Sequence, residues 1–251
     1  ISMLADDKKT STLRTLDGKE YKGYTNGSFF IGEDLPMFTW QTKEYAGVNE
    51  QGQSLWYMDV TDKEGNVTGR ETTTKYSDAT YYVTEATTMP KVYGGFGTSV
   101  QLYGVDFTVN FTYQIGGKQY DSTYAQFMSS PDGSTTGYNF HKDLLDSWTP
   151  ERPTDTPRFQ YGDSDTGRMS TRFLTNASYL NIQNINLGYT LPSKWTKNAQ
   201  INSIRLYMSA ENVFYWSKRK GFDPRQSYSA SSSASNYSPM RTISGGITLK
   251  F

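Results

Sequence analysis

The chain has 251 residues, with 25 basic and 25 acidic side chains, one histidine and no cysteine. A net charge of zero provides no long-range field to steer nucleic acid or an anionic surface, and the missing cysteines exclude disulfides and thiol chemistry. Apolar residues are only 35% while aromatics reach 15%, with 20 Tyr, 13 Phe and 5 Trp, a mixture suited to places where one end of a side chain is apolar and the other wet.

In chain order, the first run with strand character is weak and spans about 36–46, "PMFTWQTKEYA". A clear one follows at 91–104, "KVYGGFGTSVQLYG". Val92, Phe96, Val100 and Leu102 take one face, and Gly95, Gly97, Ser99 and Gln101 the other. Pro90 stands at its start, where a strand can spare a donor. Tyr103-Gly104 suits a two-residue hairpin turn. It leads into "VDFTVNFTYQI", 105–115, where Val105, Phe107, Val109, Phe111, Tyr113 and Ile115 alternate with Asp106, Thr108, Asn110, Thr112 and Gln114, the period of a strand. The run at 179–191 alternates through Ile185, Leu187, Tyr189 and Leu191 but slips near Gln183-Asn184, as a β-bulge requires. The run at 203–216 alternates through Ile204, Leu206, Met208 and Ala210 and slips near Asn212. The last run, "RTISGGITLKF" at 241–251, puts Ile243, Ile247, Leu249 and Phe251 on one parity.

The connections 47–90, 117–178 and 217–240 are long and polar, whereas the turn at 103–104 and the stretch 191–203 are short. The low-complexity stretch 227–238 is read as mobile. If neighbouring strands are antiparallel, the long connections share one end and the short ones the other, as in outer-membrane barrels with short periplasmic turns and long external loops. No apolar run approaches the ~20 residues of a membrane helix. No signal peptide is visible and the first residue is Ile1, so the chain reads as a piece of a longer protein. Alternation by itself also fits a soluble β-sandwich. The one-sided long loops, and strands of about ten residues, favour the barrel.

Several stretches carry a family likeness: "LDSWTPERPTDTPRF" (145–159), "STRFLTNASYLNIQNINLGYTLP" (170–192), "SAENVFYWSKRKGFDP" (209–224) and the closing "RTISGGITLKF". They resemble the C-terminal part of the SusC/RagA family of TonB-dependent outer-membrane transporters. Residues 89–121 resemble the adjoining upstream region, and 31–59 a further Gly-punctuated hairpin. Arg225 and the Ser-rich closing loop depart from the family pattern. The resemblance implies an all-β fold: about six antiparallel transmembrane strands, the C-terminal part of a barrel of about 22 strands with a plugged lumen. The whole of 1–251 is then C-terminal barrel, with the plug, TonB box and signal peptide outside it. It implies import of a large nutrient, an oligosaccharide or a peptide, energised through TonB. The implied partners are a SusD-like surface lipoprotein, the rest of the same transporter and outer-membrane lipid, with no nucleic acid. The closing Ile247, Leu249 and Phe251 then resemble the signal read by the barrel-insertion machinery.

No catalytic constellation, metal site or cofactor site is expected. His141 lies alone in a long loop, without His or Cys partners for a metal. A Glu211/Asp223 carboxylate pair carries little weight as glycosidase machinery. Asp163 and Asp165, and Asp59, Asp62 and Glu64, read as turn chemistry and do not match the twelve-residue calcium loop. Tyr189, Trp195, Tyr207, Tyr215 and Trp216 lie near strand ends as candidates for interface girdles. Tyr138, Trp148, Tyr228 and Tyr237 lie in long loops as possible contacts for a ligand or for the lipoprotein lid. The competing readings are a secreted carbohydrate-binding β-sandwich or adhesin, and an enzyme on a β scaffold. In the barrel reading the strand at 241–251 must pair on its free side with a strand outside this chain, and the strand near 36–46 needs an upstream partner.

Overall fold

A computed structural model describes residues 10–133, 137, 139–197, 200–226 and 237–251. The chain divides into two units. One comprises residues up to 89 together with 118–175, and the other is built on 90–117 and the segments after 176.

The first unit holds most of the short strands: β1 (Ser11–Arg14), β2 (Glu20–Asn26), β3 (Phe29–Gly32), β4 (Thr39–Lys43), β5 (Tyr45–Val48), β6 (Ser54–Thr61), β7 (Val67–Thr73) and β8 (Tyr81–Thr87). They form an antiparallel sheet in the order β1-β2-β3-β4-β8 and a three-stranded sheet β5-β6-β7. Phe30, Trp40, Tyr82 and Val83 are buried on the larger sheet, and Trp56 on the smaller one. The Trp40 indole donates to the Lys118 carbonyl at 2.9 Å, and the Tyr82 hydroxyl donates to Asp59 at 2.7 Å. A second cluster of Ala125, Met128 and Phe173 packs with Tyr120, Tyr124 and Leu144. It lies around helix α1 (Ser122–Phe127), which Asp121 caps by accepting from the Tyr124 amide, the standard remedy for a free helical N–H.

The second unit is a meander of β9 (Val92–Leu102), β10 (Val105–Ile115), β13 (Tyr179–Thr190), β14 (Ser203–Ser217) and β15 (Thr242–Lys250). Every neighbouring pair is antiparallel and the order is β9-β10-β13-β14-β15. The strands β11 (Lys118–Tyr120) and β12 (Leu174–Asn176) pair separately. The turn at Tyr103-Gly104 has φ of 50° and 83°, the doubly left-handed turn whose twist matches paired strands. The slip near Gln183 is a bulge: Asn184 faces Asn110 while Ile182 faces Phe111. The slip near Asn212 is real too, with φ of 49° and a matching register shift against β13.

Three expectations are corrected. The long sheet has five strands among the described residues, not six. The run at 36–46 becomes β4 and β5 of the other unit, because its side chains are buried on both faces: Thr39, Trp40, Thr42 and Lys43 are all enclosed. β4 pairs with β3 and β8 inside this chain, so it needs no upstream partner, and the second open edge is β9 instead. Segments 47–90 and 117–178 are not plain loops, since they contain β6, β7, β8, β11, β12 and α1. Most of 227–238 lies outside the described residues.

Candidate membrane face and polar wall

The register of the five-stranded sheet sorts its side chains into two unlike faces. One row runs Val100–Phe107–Leu187–Met208, the next Leu102–Val105–Tyr189–Leu206–Ile247, and another Phe96–Phe111–Ile182–Phe214. The apolar parity therefore continues across all five strands, through both bulges. These residues stay open rather than packed: Phe96 is 55% exposed, Met208 54% and Ile247 67%. Aromatic stacking of Phe96 on Phe111, with centroids 4.8 Å apart, joins the first two strands. Contiguous apolar area of this kind marks an interaction surface.

The opposite face is Asn, Gln, Ser, Thr and Gly with few charges. Asn110 donates to Asn184 at 2.9 Å, Thr108 to Ser99 at 3.1 Å and Asn181 to Thr112 at 3.2 Å. Arg205 pairs with Asp106 through two bonds. At the long-connection end, Arg225 donates twice to Asp223 and once to Asn181 at 2.7 Å, with its guanidinium 4.4 Å from the Tyr215 ring centre. Both side chains of that pair are nearly closed off, at 10% and 1% exposure. Burial would raise the Asp223 carboxyl, but the bonds and charge of Arg225 outweigh it and hold the group below its ordinary range. Sequence reasoning noted Arg225 only as a departure. Its position two residues after Asp223, across a proline, was the available signal.

The predicted aromatic residues separate by face. Tyr189 and Trp216 lie with the apolar rows. Tyr207 and Tyr215 lie on the polar face, Tyr207 opposite Gly246 in register. Trp195 is 69% exposed in the short helix α2 (Ser193–Thr196). Ile247 and Leu249 are exposed on the free-edge strand, at 67% and 48%, and Phe251, just past its end, at 82%. Among the loop aromatics, Tyr138 and Tyr228 lie outside the described residues. Tyr237 is 92% exposed. Trp148 is half-buried against the backbone of Gly52.

In the first unit a cleft of about 760 Å³ is lined by Glu44, Glu85, Arg70, Lys118, Thr171 and Leu174, among others. Charges of both signs alternate there, so the cleft offers hydrogen bonds without a strong net field. Burial pushes the Glu44 carboxyl up, against a hydrogen bond from Thr171. Of the carboxylates expected in turns, Asp62 accepts from the amides of Glu64 and Asn66, Asp163 pairs with Arg158 at 2.7 Å and Asp165 with Arg168 at 3.2 Å, whereas Asp59 lies within β6 and accepts from the Tyr82 hydroxyl. His141 accepts from the Asp143 amide and stacks edge-on against Tyr124, which is structural work.

No family model matches the chain. It is 26% identical over 246 residues to TonB-dependent receptor P3 of Formosa agariphila, covering 93% of this chain and 22% of that protein. It is 36% identical over 84 residues, 33% of this chain and 8% of the relative, to TonB-dependent receptor SusC of Bacteroides thetaiotaomicron. Among solved structures, the RagAB peptide importer in its closed-closed state superposes with a TM-score of 0.73 at 26% identity, over 92% of this chain and 26% of that one. The open-open state gives a TM-score of 0.72 at 25% identity. The chain thus spans about a quarter of the length of these full-coverage relatives. A sheet with one open apolar face and one polar face, and a likeness in sequence and backbone that runs along nearly all of its length, make the chain a SusC/RagA-type segment of a TonB-dependent β-barrel receptor of the outer membrane.

Proposed function

We propose that this segment forms part of the barrel wall of an importer for a large nutrient, an oligosaccharide or a peptide, working as the SusC-like member of a SusCD-type complex. The observation that carries the reading is the two-faced sheet: apolar rows open on one side, an amide- and hydroxyl-rich wall on the other. Lipid suits the first and a wet or plugged lumen the second. A sandwich or adhesin would bury the apolar rows in a core. Similarity to proteins named SusC and RagAB peptide importer supports the reading. TonB supplies the energy through parts of the receptor beyond this chain, and a SusD-like lipoprotein covers the external end. The five strands join a barrel of about 22, and the long segments 47–90, 117–178 and 217–240 are extracellular.

The test is uptake in cells carrying the full receptor. Deleting the receptor, or removing TonB, should abolish accumulation of one class of oligosaccharide or peptide. Accumulation that persists in both strains overturns the import reading. Orientation has its own test, because the chain has no cysteine of its own. Cysteines placed at Leu145 and Tyr237, 81% and 92% exposed, should react with an impermeant maleimide on whole cells. Labelling only after the outer membrane is breached reverses the topology.

A further inference from the structure

We propose that the cleft at the head of strand β14, lined by Phe214, Trp216, Lys220 and Arg241, holds the phosphate-bearing headgroup of a lipid of the surrounding membrane. The inference rests on the outward orientation of the long connections.

The cleft exists because two neighbouring strands differ in length. β15 pairs with β14 only from Ser203↔Lys250 to Glu211↔Thr242, while β13 continues beside β14 to Ser217. Among the described residues, Asn212–Ser217 therefore has a paired strand on one side only. The chain before β15 runs past the other side, tied by the bond from the Asn212 amide group to the Met240 carbonyl at 3.2 Å. Between them lies a cavity of about 530 Å³.

Its lining has the chemistry of a headgroup and the top of an acyl chain. Phe214 and Trp216 sit on the apolar face with ring centres 4.7 Å apart and are 47% and 49% exposed. Ser238, Lys220 and Arg241 also line it, and no acidic side chain does so among the described residues. The stretch "SKRKGFDPR" (217–225) carries Lys218, Arg219, Lys220 and Arg225 against Asp223 alone. That acid is already engaged by Arg225 through both oxygens. Arg225 is thus a fixed part of the wall. Lys220 and Arg241 are exposed and have no ion-pair partner among the described residues. The whole chain is neutral, so this excess is local. It lies where the apolar rows end, the level at which aromatic belts and basic side chains meet lipid headgroups.

Each surface cation contributes roughly fivefold to attraction of an anionic headgroup. The full receptor, in phosphatidylcholine vesicles with and without lipid A, supplies the test, with the same lipid after phosphate removal as the comparison. Bound lipid A is measured by native mass spectrometry of receptor released in mild detergent. Lys220→Gln and Arg241→Gln should each weaken retention about fivefold, and the double variant about 30-fold. Lys250→Gln, at the opposite end of β15, should leave it unchanged. Equal retention of dephosphorylated lipid, or variants that bind as the wild type does, overturns the proposal. Inorganic phosphate that binds alone in detergent with the same dependence on Lys220 and Arg241 overturns the lipid assignment in favour of a free anion. Labelling of a Tyr237→Cys receptor separates the cases. If it labels on whole cells and lipid retention still fails, only this inference falls. If it labels only from inside, the orientation falls as well.

Discussion

Arg205 reaches Asp106 across an intervening strand, and it can do so because residue 188 is glycine. Asp106 on β10 stands opposite Gly188 on β13, and Arg205 on β14 stands opposite Thr190, two places along from Gly188. The guanidinium passes over Gly188 and donates to the carboxylate at 3.0 and 2.5 Å. A Cβ at 188 would meet both Arg205 and Asp106. The pair links three strands of the polar wall near their short-turn end.

Gly188→Ala should therefore displace the ion pair while leaving the backbone ladder intact, since the atoms it meets are ends of flexible side chains. Its effect on the thermal midpoint of the receptor should match that of Asp106→Asn, and the double variant should add little, because both remove the same contact. Additive losses, or a Gly188→Ala receptor that fails to assemble, would place the role of glycine in the backbone instead.

Gly52 makes a different demand. Its φ is +78° and a Cβ there would run into the Trp148 ring. The Arg158 amide donates to the Gly52 carbonyl at 2.8 Å, so the turn after β5 and the 148–158 loop are fastened at one point. Gly52→Ala should cost about 1–3 kcal/mol through strain and displacement of the indole. Limited proteolysis of the receptor on whole cells should show new cleavage near 148–158. Trp148→Ala should give the same cleavage pattern with less strain. If Trp148→Ala instead weakens ligand or lipoprotein binding with no change in cleavage, the indole is a contact residue.

The apolar parity of β10 can be tested by a neighbouring pair of substitutions. Val109 lies in the open apolar rows, opposite Ile185 and Thr98, whereas Asn110 faces Asn184 on the other side. Val109→Arg should cost ~2–4 kcal/mol near the bilayer midplane, with Asn110→Arg milder. Reversible unfolding from bilayers measures both, and equal costs would remove the assignment of faces.

Much of the long sheet was legible because its strands run for nine or more residues and obey period two, so even the two bulges announced themselves as phase slips at Gln183 and Asn212. The first unit was not. Its strands are mostly four to eight residues, too short for a pattern, and those of β4 are buried on both faces, which erases alternation. Trp148 and Tyr237 looked alike in sequence. Only the backbone of Gly52 distinguishes the half-packed indole from the open phenol. The Arg205–Asp106 link spans 99 positions and depends on a third residue, so no local spacing could signal it.

Glu44 gives the first unit a pH dependence of definite sign. Its carboxyl is raised above the ordinary 4.5, chiefly by burial. A carboxyl raised on folding favours the fold while protonated. Its contribution is fully present below about pH 4.5 and is lost as pH rises through the raised value. Glu44→Gln should remove that loss, so the variant should exceed the wild type in thermal midpoint near neutral pH and match it in acid. A wild type that gains on Glu44→Gln as pH rises would mean that Lys118, rather than burial, governs the group.

The two edges of the five-stranded sheet set the last expectation. Among the described residues, β9 pairs only with β10, and β15 only with β14. Five strands fall short of the roughly eight whose closed interior is just wide enough for side chains to fill. Each bare N–H and C=O facing hydrocarbon would cost several kcal/mol. In the intact receptor both edges must therefore be paired by strands from outside residues 90–251, and β15, with Ile247 and Leu249 on its apolar parity and Phe251 just past its end, must be joined along its open side. Single cysteines along that side of β15 should form disulfides with cysteines scanned through the barrel strands beyond this chain, in a register that moves by two residues for every two residues of β15. The segment expressed alone should aggregate through these edges. A soluble monomer in which β9 and β15 pair with each other would replace the open barrel wall with a small closed barrel.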